Sequence, residues 1–289
     1  MKPAPFTWHR AGSVDEALAL LAREGSSAKP LAGGQSLIPA MNFRLARPAA
    51  LVDLNHVTEL AGITTTPGGG LRLGAMTRHR ALERSADVAA RAPLLAEAMP
   101  WVAHAQIRTR GTVGGSVAHA DPAAELPAVL VALGARYLAK SRAGERWIAA
   151  EEFATGLFAT ALRPDELLVA IEVPPAAPRT GYAFIEMARR HGDFGLAGVA
   201  AALTLGDDGR CVSARVGLLG VGDGPVSSQR AAAVLAGQAP GAEAWRAAGD
   251  AARTEVDPPS DIHASAAFRR KLVDVLTRRA LARAAERAA

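Results

Sequence analysis

The chain has 289 residues, 49% apolar and 21% charged, which excludes global disorder and leaves room for two domains or one large composite one. Its net charge of +5 invites a nucleic-acid reading, yet base-stacking aromatics are only 4% of the residues. A single cysteine, Cys211, excludes an intramolecular disulfide and any iron–sulfur cluster or thiolate zinc site built from this chain alone. No run approaches a membrane span, and MKPAPFTWHR lacks the apolar centre of a secretory signal, so a cytoplasmic protein with no nucleic-acid partner is predicted.

In chain order, SVDEALALLAREG predicts a first helix capped by Ser13, supported by Glu16, ended by Gly25 and apolar along Val14, Ala17, Leu18 and Leu21. KPLA is a short strand running into GGQS, residues 37–44 are helical, and ALVDL (50–54) is a buried strand. LRLGAM (71–76) is another strand, with Thr77 placed to cap a helix over 78–84; residues 87–105 are helical but broken at Pro93 and Pro100. Pro122 opens a helix carrying Leu126, Val129, Leu130 and Leu133 and stopped by Gly134. RYLAKSRAGERWIAA reads as a hairpin, ELLVAIEVP as a strand, and PPAAPR (174–179) as a domain boundary.

Beyond it, AAALTL-GDDGR-CVSARVGLLGV is a hairpin in which Cys211 is an apolar filler, and the last third is mostly helical. Phe268, Leu272, Val275 and Leu276 form the stripe of a C-terminal amphipathic helix, with Arg269, Arg270, Lys271, Arg278, Arg279, Arg283 and Arg287 on its solvated faces. Strands and helices mix without βαβ alternation, which predicts an α+β fold.

Two stretches ask for more than a turn: AGGQS (32–36) and TVGGS (112–116). Each sets two glycines and a small hydroxyl at the end of an element, where successive amides can point into one concavity and bind an anion. A helix starting at Leu37 would add its positive end, and Ser36, Ser116 and Thr112 would add hydroxyls. On the residues alone the ligand is an anion or a dinucleotide, with plain turns as the alternative. No P-loop pattern is present, and GVGDGP (220–225) has the wrong spacing for a dinucleotide fingerprint and reads as a hairpin exit. The seven histidines show no metal spacing; His119 and Asp121 read as structural.

Taken together, AGGQSLIPAMNFR, LRLGAMT, QIRTRGTVGGSVAHADPAAELPAVLVALGA, ELLVAIEVP and ARRHGDFGLAGVAAAL resemble, over nearly the whole chain, the FAD-binding medium subunit of the molybdenum hydroxylases, the group of xanthine dehydrogenase and aerobic carbon monoxide dehydrogenase. The resemblance implies an α+β fold: a two-part FAD-binding domain of the vanillyl-alcohol-oxidase-like (PCMH) type at 1–177, with sub-parts of about 1–57 and 58–177. A smaller C-terminal domain with an antiparallel sheet and helices, of the carbon monoxide dehydrogenase flavoprotein type, follows at 178–289.

By motif match the resemblance assigns the FAD pyrophosphate to Ala32, Gly33, Gly34, Gln35 and Ser36, with Leu31, Leu37 and Ile38 alongside. It sets Thr112, Val113, Gly114, Gly115 and Ser116 against the same phosphates and the flavin end, and Ala103 close to the isoalloxazine. Glu125 stands where aspartate is usual, with Asp121 as a substitute; Leu168 touches the flavin, Ile185 replaces a lysine of xanthine dehydrogenase, and Phe194 is the aromatic candidate beside the ring. The resemblance further implies an oxidoreductase subunit with no catalytic or metal-ligating residue of its own. It would take electrons from [2Fe–2S] clusters in a small partner subunit and pass them to an external acceptor. A large molybdopterin-binding subunit, completing a heterotrimer that occurs singly or doubled, would choose the substrate. GDFGLAGVAAAL leans toward the carbon monoxide dehydrogenase-like members. The alternatives are a free-standing FAD-dependent oxidoreductase of the same fold and a scaffold subunit whose flavin site has decayed. Gly33→Val or Gly114→Val is expected to lower FAD occupancy while leaving the fold largely intact.

Overall fold

The computed structural model describes residues 1–288. The chain opens with a parallel sheet of β1 (Thr7–Arg10), β2 (Ala28–Leu31) and β3 (Ala50–Asp53) in the order β1-β3-β2, joined by α1 (Val14–Glu24) and α2 (Leu37–Asn42). Ser13 caps α1 as predicted, its hydroxyl accepting from Glu16 N at 3.1 Å, a contact worth about 1 kcal/mol. Val14, Ala17, Leu18 and Leu21 bury against β2 and β3, with Val52 and Leu54 in the same core.

Next come β4 (Ile63–Thr65), β5 (Leu71–Gly74), α3 (His79–Arg84), α4 (Ala86–Arg91), α5 (Pro93–Ala98), α6 (Ala105–Arg108), α7 (Val113–His119) and α8 (Glu125–Ala132). After them β6 (Arg136–Ser141) and β7 (Gly144–Ala149) form the predicted hairpin, followed by α9 (Ala150–Phe153), the small hairpin of β8 (Ala154–Gly156) and β9 (Ala159–Thr160), and β10 (Leu167–Val173). Their main sheet is antiparallel, in the order β4-β5-β10-β6-β7. Two local expectations change. Thr77 is not a cap: Arg78 takes that position, and the Thr77 hydroxyl pairs with Gly62, donating to its carbonyl at 2.9 Å and accepting from its amide at 3.0 Å. The helix placed at Pro122 begins at Glu125, because Asp121 accepts from Ala123 N at 2.9 Å and holds the chain in a turn first.

A second antiparallel sheet, β11 (Thr180–Ala188), β12 (Gly195–Leu205), β13 (Cys211–Leu219) and β14 (Val226–Ser227), is followed by α10 (Gln229–Leu235), α11 (Ala242–Ala252) and α12 (Ala266–Ala288). Strand alternation splits its side chains. Ala183, Val199, Ala201 and Leu218 pack with α10 to α12, whereas Tyr182, Phe184, Ala200 and Leu219 join the core of the preceding helices. Every residue of α8 is buried, since this helix lies between that core and the second sheet. α12 departs from the predicted stripe: Phe268 is exposed, and Arg269 is buried with its guanidinium on Leu196 O (2.6 Å), Gly220 O (3.1 Å) and Asp261 (2.7 Å). Cys211 is buried, and among the described residues no helix is long and apolar enough to cross a membrane.

Candidate cofactor site

The carboxyl ends of the parallel strands β2 and β3 lie side by side, with Leu31 opposite Asp53. The AGGQS turn leaves β2 there, in the place where open sheets accept ligands. Gly34 has φ +72, a conformation open to glycine, and Gln35 Nε2 braces the turn by donating to Gly33 O at 2.9 Å. Ile38 N reaches Gly34 O at 3.1 Å. The amides of Gly33, Gly34, Gln35, Ser36 and Leu37 have no acceptor among the described residues. Gly33, Gly34 and Gln35 line a cleft of about 310 Å³ with Leu31, Ala32, Ile38, Pro39, Asn55 and Arg110. Since α2 has 6 residues, the open amides rather than a long helix dipole give this cleft its pull on an anion.

The TVGGS segment behaves differently. Its glycines fall inside the first turn of α7, whose cap is Thr112, and its amides are spent within the protein. Val113 N donates to Thr77 O (3.0 Å), Gly114 N to Ala75 O (2.9 Å), Gly115 N to the Thr112 hydroxyl (3.1 Å) and Ser116 N to Thr112 O (3.0 Å). The expectation of a second amide nest is therefore corrected: this loop is a wall. Gly114 is small because a Cβ would lie 2.5 Å from that of Ala75, and Gly115 faces Ala32. The two segments still meet. A Cβ on Gly33 would fall on the Arg110 carbonyl and 2.9 Å from Gly111 Cα.

Residues that the sequence reading passed over tie these segments together. Asn55 donates to Ala32 O (3.0 Å) and Asp53 (2.6 Å) and accepts from Arg78 (2.6 Å), and Arg78 also holds Arg110 O. The position of Asn55 just past a strand that ends beside the glycine turn was the available signal. Burial and then the Arg110 charge lower the Arg78 pKa, so two guanidinium groups share the mouth of the cleft. Arg110 is exposed and without a side-chain partner among the described residues. Beneath the second segment His79 is buried and pushed down to about 4, chiefly by burial, so it packs against Gly111 as a neutral ring.

Ala103 sits in a left-handed turn, φ +47, fixed by the buried Arg108, which donates to Val102 O and Ala103 O at 3.0 Å each and pairs with Glu83 at 3.0 Å. Against that turn lies the loop after β11: Gly192 approaches Ala103 O and the His104 ring, and the Trp101 and His191 rings are 5.0 Å apart. Phe194 projects from this loop 74% exposed, so it is not core packing. Leu168 is buried in the main core beside Val113 and Val117, at a bulge in β10. Ile185 points away, into the core of α10 to α12, and its neighbour Glu186 occupies the opposite face; alternation along β11 makes that assignment, which the motif match could not see. Asp121 spends one oxygen on its own turn, while Glu125 is buried at the start of α8 and pushed up to about 7, by burial first.

Residues 4–176 match the model for the FAD binding domain in molybdopterin dehydrogenase, and residues 182–284 match that for the CO dehydrogenase flavoprotein C-terminal domain. The chain belongs to this flavoprotein family. As a member it is an oxidoreductase subunit of the medium-chain type, and its cofactor is FAD. It is 43% identical over 288 residues to the 6-hydroxypseudooxynicotine dehydrogenase complex subunit alpha of Paenarthrobacter nicotinovorans, covering 100% of this chain and 97% of that protein. With the carbon monoxide dehydrogenase medium chain of Afipia carboxidovorans the identity is 40%, covering 100% and 99%. A solved carbon monoxide dehydrogenase from Hydrogenophaga pseudoflava superposes with a TM-score of 0.97 at 38% identity, over 100% of both chains. The α+β, two-part PCMH-type architecture is thus the family's own. The flavoprotein's open amides and free Arg110 suit a dianionic pyrophosphate, so the residues present fit the cofactor.

Arg110→Ala is expected to weaken FAD binding roughly 10- to 100-fold, since a charge-assisted hydrogen bond contributes about 1.5–3 kcal/mol. The melting temperature should stay within about 2 °C of wild type, because an exposed side chain without partners adds little stability. Flavin fluorescence titration and a thermal melt of the same sample check both halves.

Proposed function

We propose that this chain is the electron-transfer flavoprotein of a molybdenum hydroxylase complex. When bound there, FAD would supply the redox chemistry that links [2Fe–2S] clusters of a small partner subunit to an external acceptor. The chain's own task is to bind and orient that cofactor: Gly33 to Leu37 and Arg110 hold the pyrophosphate, and the Thr112–Ser116 segment forms the wall beside it. The turn at Ala103, Leu168, Glu125 and the loop bearing Phe194 border the ring and its ribityl chain. The observation that carries this reading is the row of unpaired amides beside Arg110, in a chain matched along nearly its whole length by subunits of dehydrogenase complexes.

The partners in this reading are the small [2Fe–2S] subunit and a large molybdopterin-binding subunit, in a cytoplasmic heterotrimer occurring singly or doubled. A chain with one cysteine cannot carry such clusters itself, which supports the division of labour. Phe43 and Leu45, 66% and 84% exposed just past the C-terminal end of α2, are apolar surface that an assembly would cover. A division near 177/178 is supported by the stretch between Val173 and Thr180, outside both sheets. In this reading the large subunit selects the substrate; relatives of comparable identity are named for 6-hydroxypseudooxynicotine and for carbon monoxide.

Co-expression with the neighbouring subunits tests the proposal. The purified complex should show flavin absorption together with iron–sulfur bands, and substrate should bleach both. A complex without FAD, or an isolated chain that turns over a small substrate unaided, overturns it.

A further inference from the structure

Arg110 and the glycine turn line the same cleft but belong to segments far apart in sequence. They meet closely: the space that a Cβ would take on Gly33 is already filled by the Arg110 carbonyl. That carbonyl accepts from Nη1 of Arg78. Nη2 of the same guanidinium donates to Asn55 Oδ1 at 2.6 Å. Asn55 in turn donates to Ala32 O, where the glycine turn leaves β2, at 3.0 Å, and to Asp53 at 2.6 Å. One planar group therefore joins the backbone of Arg110 to the side chain that braces the glycine turn.

The backbone of Arg78 is placed independently of this group. His79 N donates to Gly111 O and Val113 N to Thr77 O, both at 3.0 Å, which sets Arg78 opposite Thr112 in a short antiparallel bridge. Only the side chain reaches across to Asn55, just past the end of β3. Arginine can serve two acceptors at once because its fork carries donors on separate nitrogens at a fixed spacing, whereas a lysine ammonium is a single point. The Arg110 side chain is exposed and unpaired among the described residues, so its direction depends on where its backbone is held.

We propose that Arg78 is a positioning residue for the cofactor: a clasp on Asn55 and the Arg110 carbonyl that keeps the Arg110 guanidinium facing the open amides, so that both hold one pyrophosphate. The inference rests on the reading that those amides and Arg110 bind the pyrophosphate. The rival role for Arg78 is plain attraction, since it stands close enough to Arg110 for their two positive charges to oppose each other at the mouth of the cleft. Removing the fork and the charge separately distinguishes the two roles.

The test is FAD titration into the FAD-free full chain at pH 7, with melting curves of the same samples. The variants are Arg78→Lys, Arg78→Met, Arg110→Ala, and Arg78→Lys combined with Arg110→Ala. Arg78→Lys keeps the charge and loses the fork, so FAD affinity should fall about tenfold, the effect of one charge-assisted hydrogen bond. Its melting temperature should stay within about 4 °C of wild type, because the backbone bridge remains. Arg78→Met should bind within about threefold of Arg78→Lys, the charge adding little once the fork is gone. In the Arg110→Ala background Arg78→Lys should lower affinity by less than about threefold, since Arg78 acts through the Arg110 side chain. Wild-type affinity in Arg78→Lys with a loss in Arg78→Met shows that charge alone matters and overturns the clasp. A tenfold loss that persists in the Arg110→Ala background also overturns it, because the effect then belongs to the fold and not to Arg110. If Arg110→Ala binds FAD as wild type does, the pyrophosphate reading of Arg110 itself fails and leaves the clasp nothing to position.

Discussion

Gly33→Val is expected to deplete soluble, folded protein, not merely its flavin. The new Cβ would enter the Arg110 carbonyl and lie 2.9 Å from Gly111 Cα, and both are backbone atoms that cannot rotate away. Overpacking a core typically costs about 1–3 kcal/mol and more where backbone must shift; here relief would have to separate the two segments that frame the cofactor cleft. The Asn55–Arg78–Arg110 chain of hydrogen bonds would open with them. Expression yield and the melting temperature of any soluble fraction are the readouts, with Arg110→Ala as the variant that loses flavin and keeps its fold. Soluble Gly33→Val with a wild-type melting temperature and reduced flavin would restore the simpler picture, in which that glycine only leaves space for phosphate.

The same geometry shows where the sequence was informative. The helix α1 was readable because cap, apolar face and terminating glycine are all local, and the β12–β13 hairpin because its turn residues are. Paired glycines, by contrast, have two physical uses that look alike in sequence. In AGGQS they leave amides open, and in TVGGS they let α7 pack on Ala75, a difference set by residues some forty positions away. Ile185 was named because its place in the motif matched, but which face of β11 it occupies depends on the pairing with β12 and on α12 behind it. Asn55 and Arg78 lie outside the matched motifs, and Arg108 lies inside one without a role assigned to it. Their work is to hold carbonyl groups of distant loops, and that requirement exists only once the loops have been brought together.

Arg108→Met should be the more damaging of the site's charge substitutions, although Arg108 need not touch the cofactor. The guanidinium is 9% exposed, bonded twice to Glu83 at 3.0 and 3.2 Å and to the carbonyl groups of Val102 and Ala103. Methionine fills much of the volume but leaves Glu83 and those carbonyls without their donor; breaking a buried ion pair in this way costs about 3–5 kcal/mol. For a chain of this size that corresponds to a fall of about 10 °C in melting temperature. The Ala103 turn, already in a conformation that costs an L-residue about 1–2 kcal/mol, would relax, and visible circular dichroism of the bound flavin should change with it. The pH dependence supplies a separate signature. Burial raises the Glu83 carboxyl, but its bonds from Arg108 and Arg80 outweigh that and leave it below the usual value. Its contribution is therefore present above pH 4.5 and lost as pH falls through the lowered folded value, so acid destabilisation should be weaker in Arg108→Met than in wild type. A double-mutant cycle with Glu83→Gln should show strong coupling, because each variant removes the same pair. Additive effects, or a melting temperature unmoved by Arg108→Met, would mean that the turn holds its shape through the packing of Trp101 against Phe184 and His191 instead.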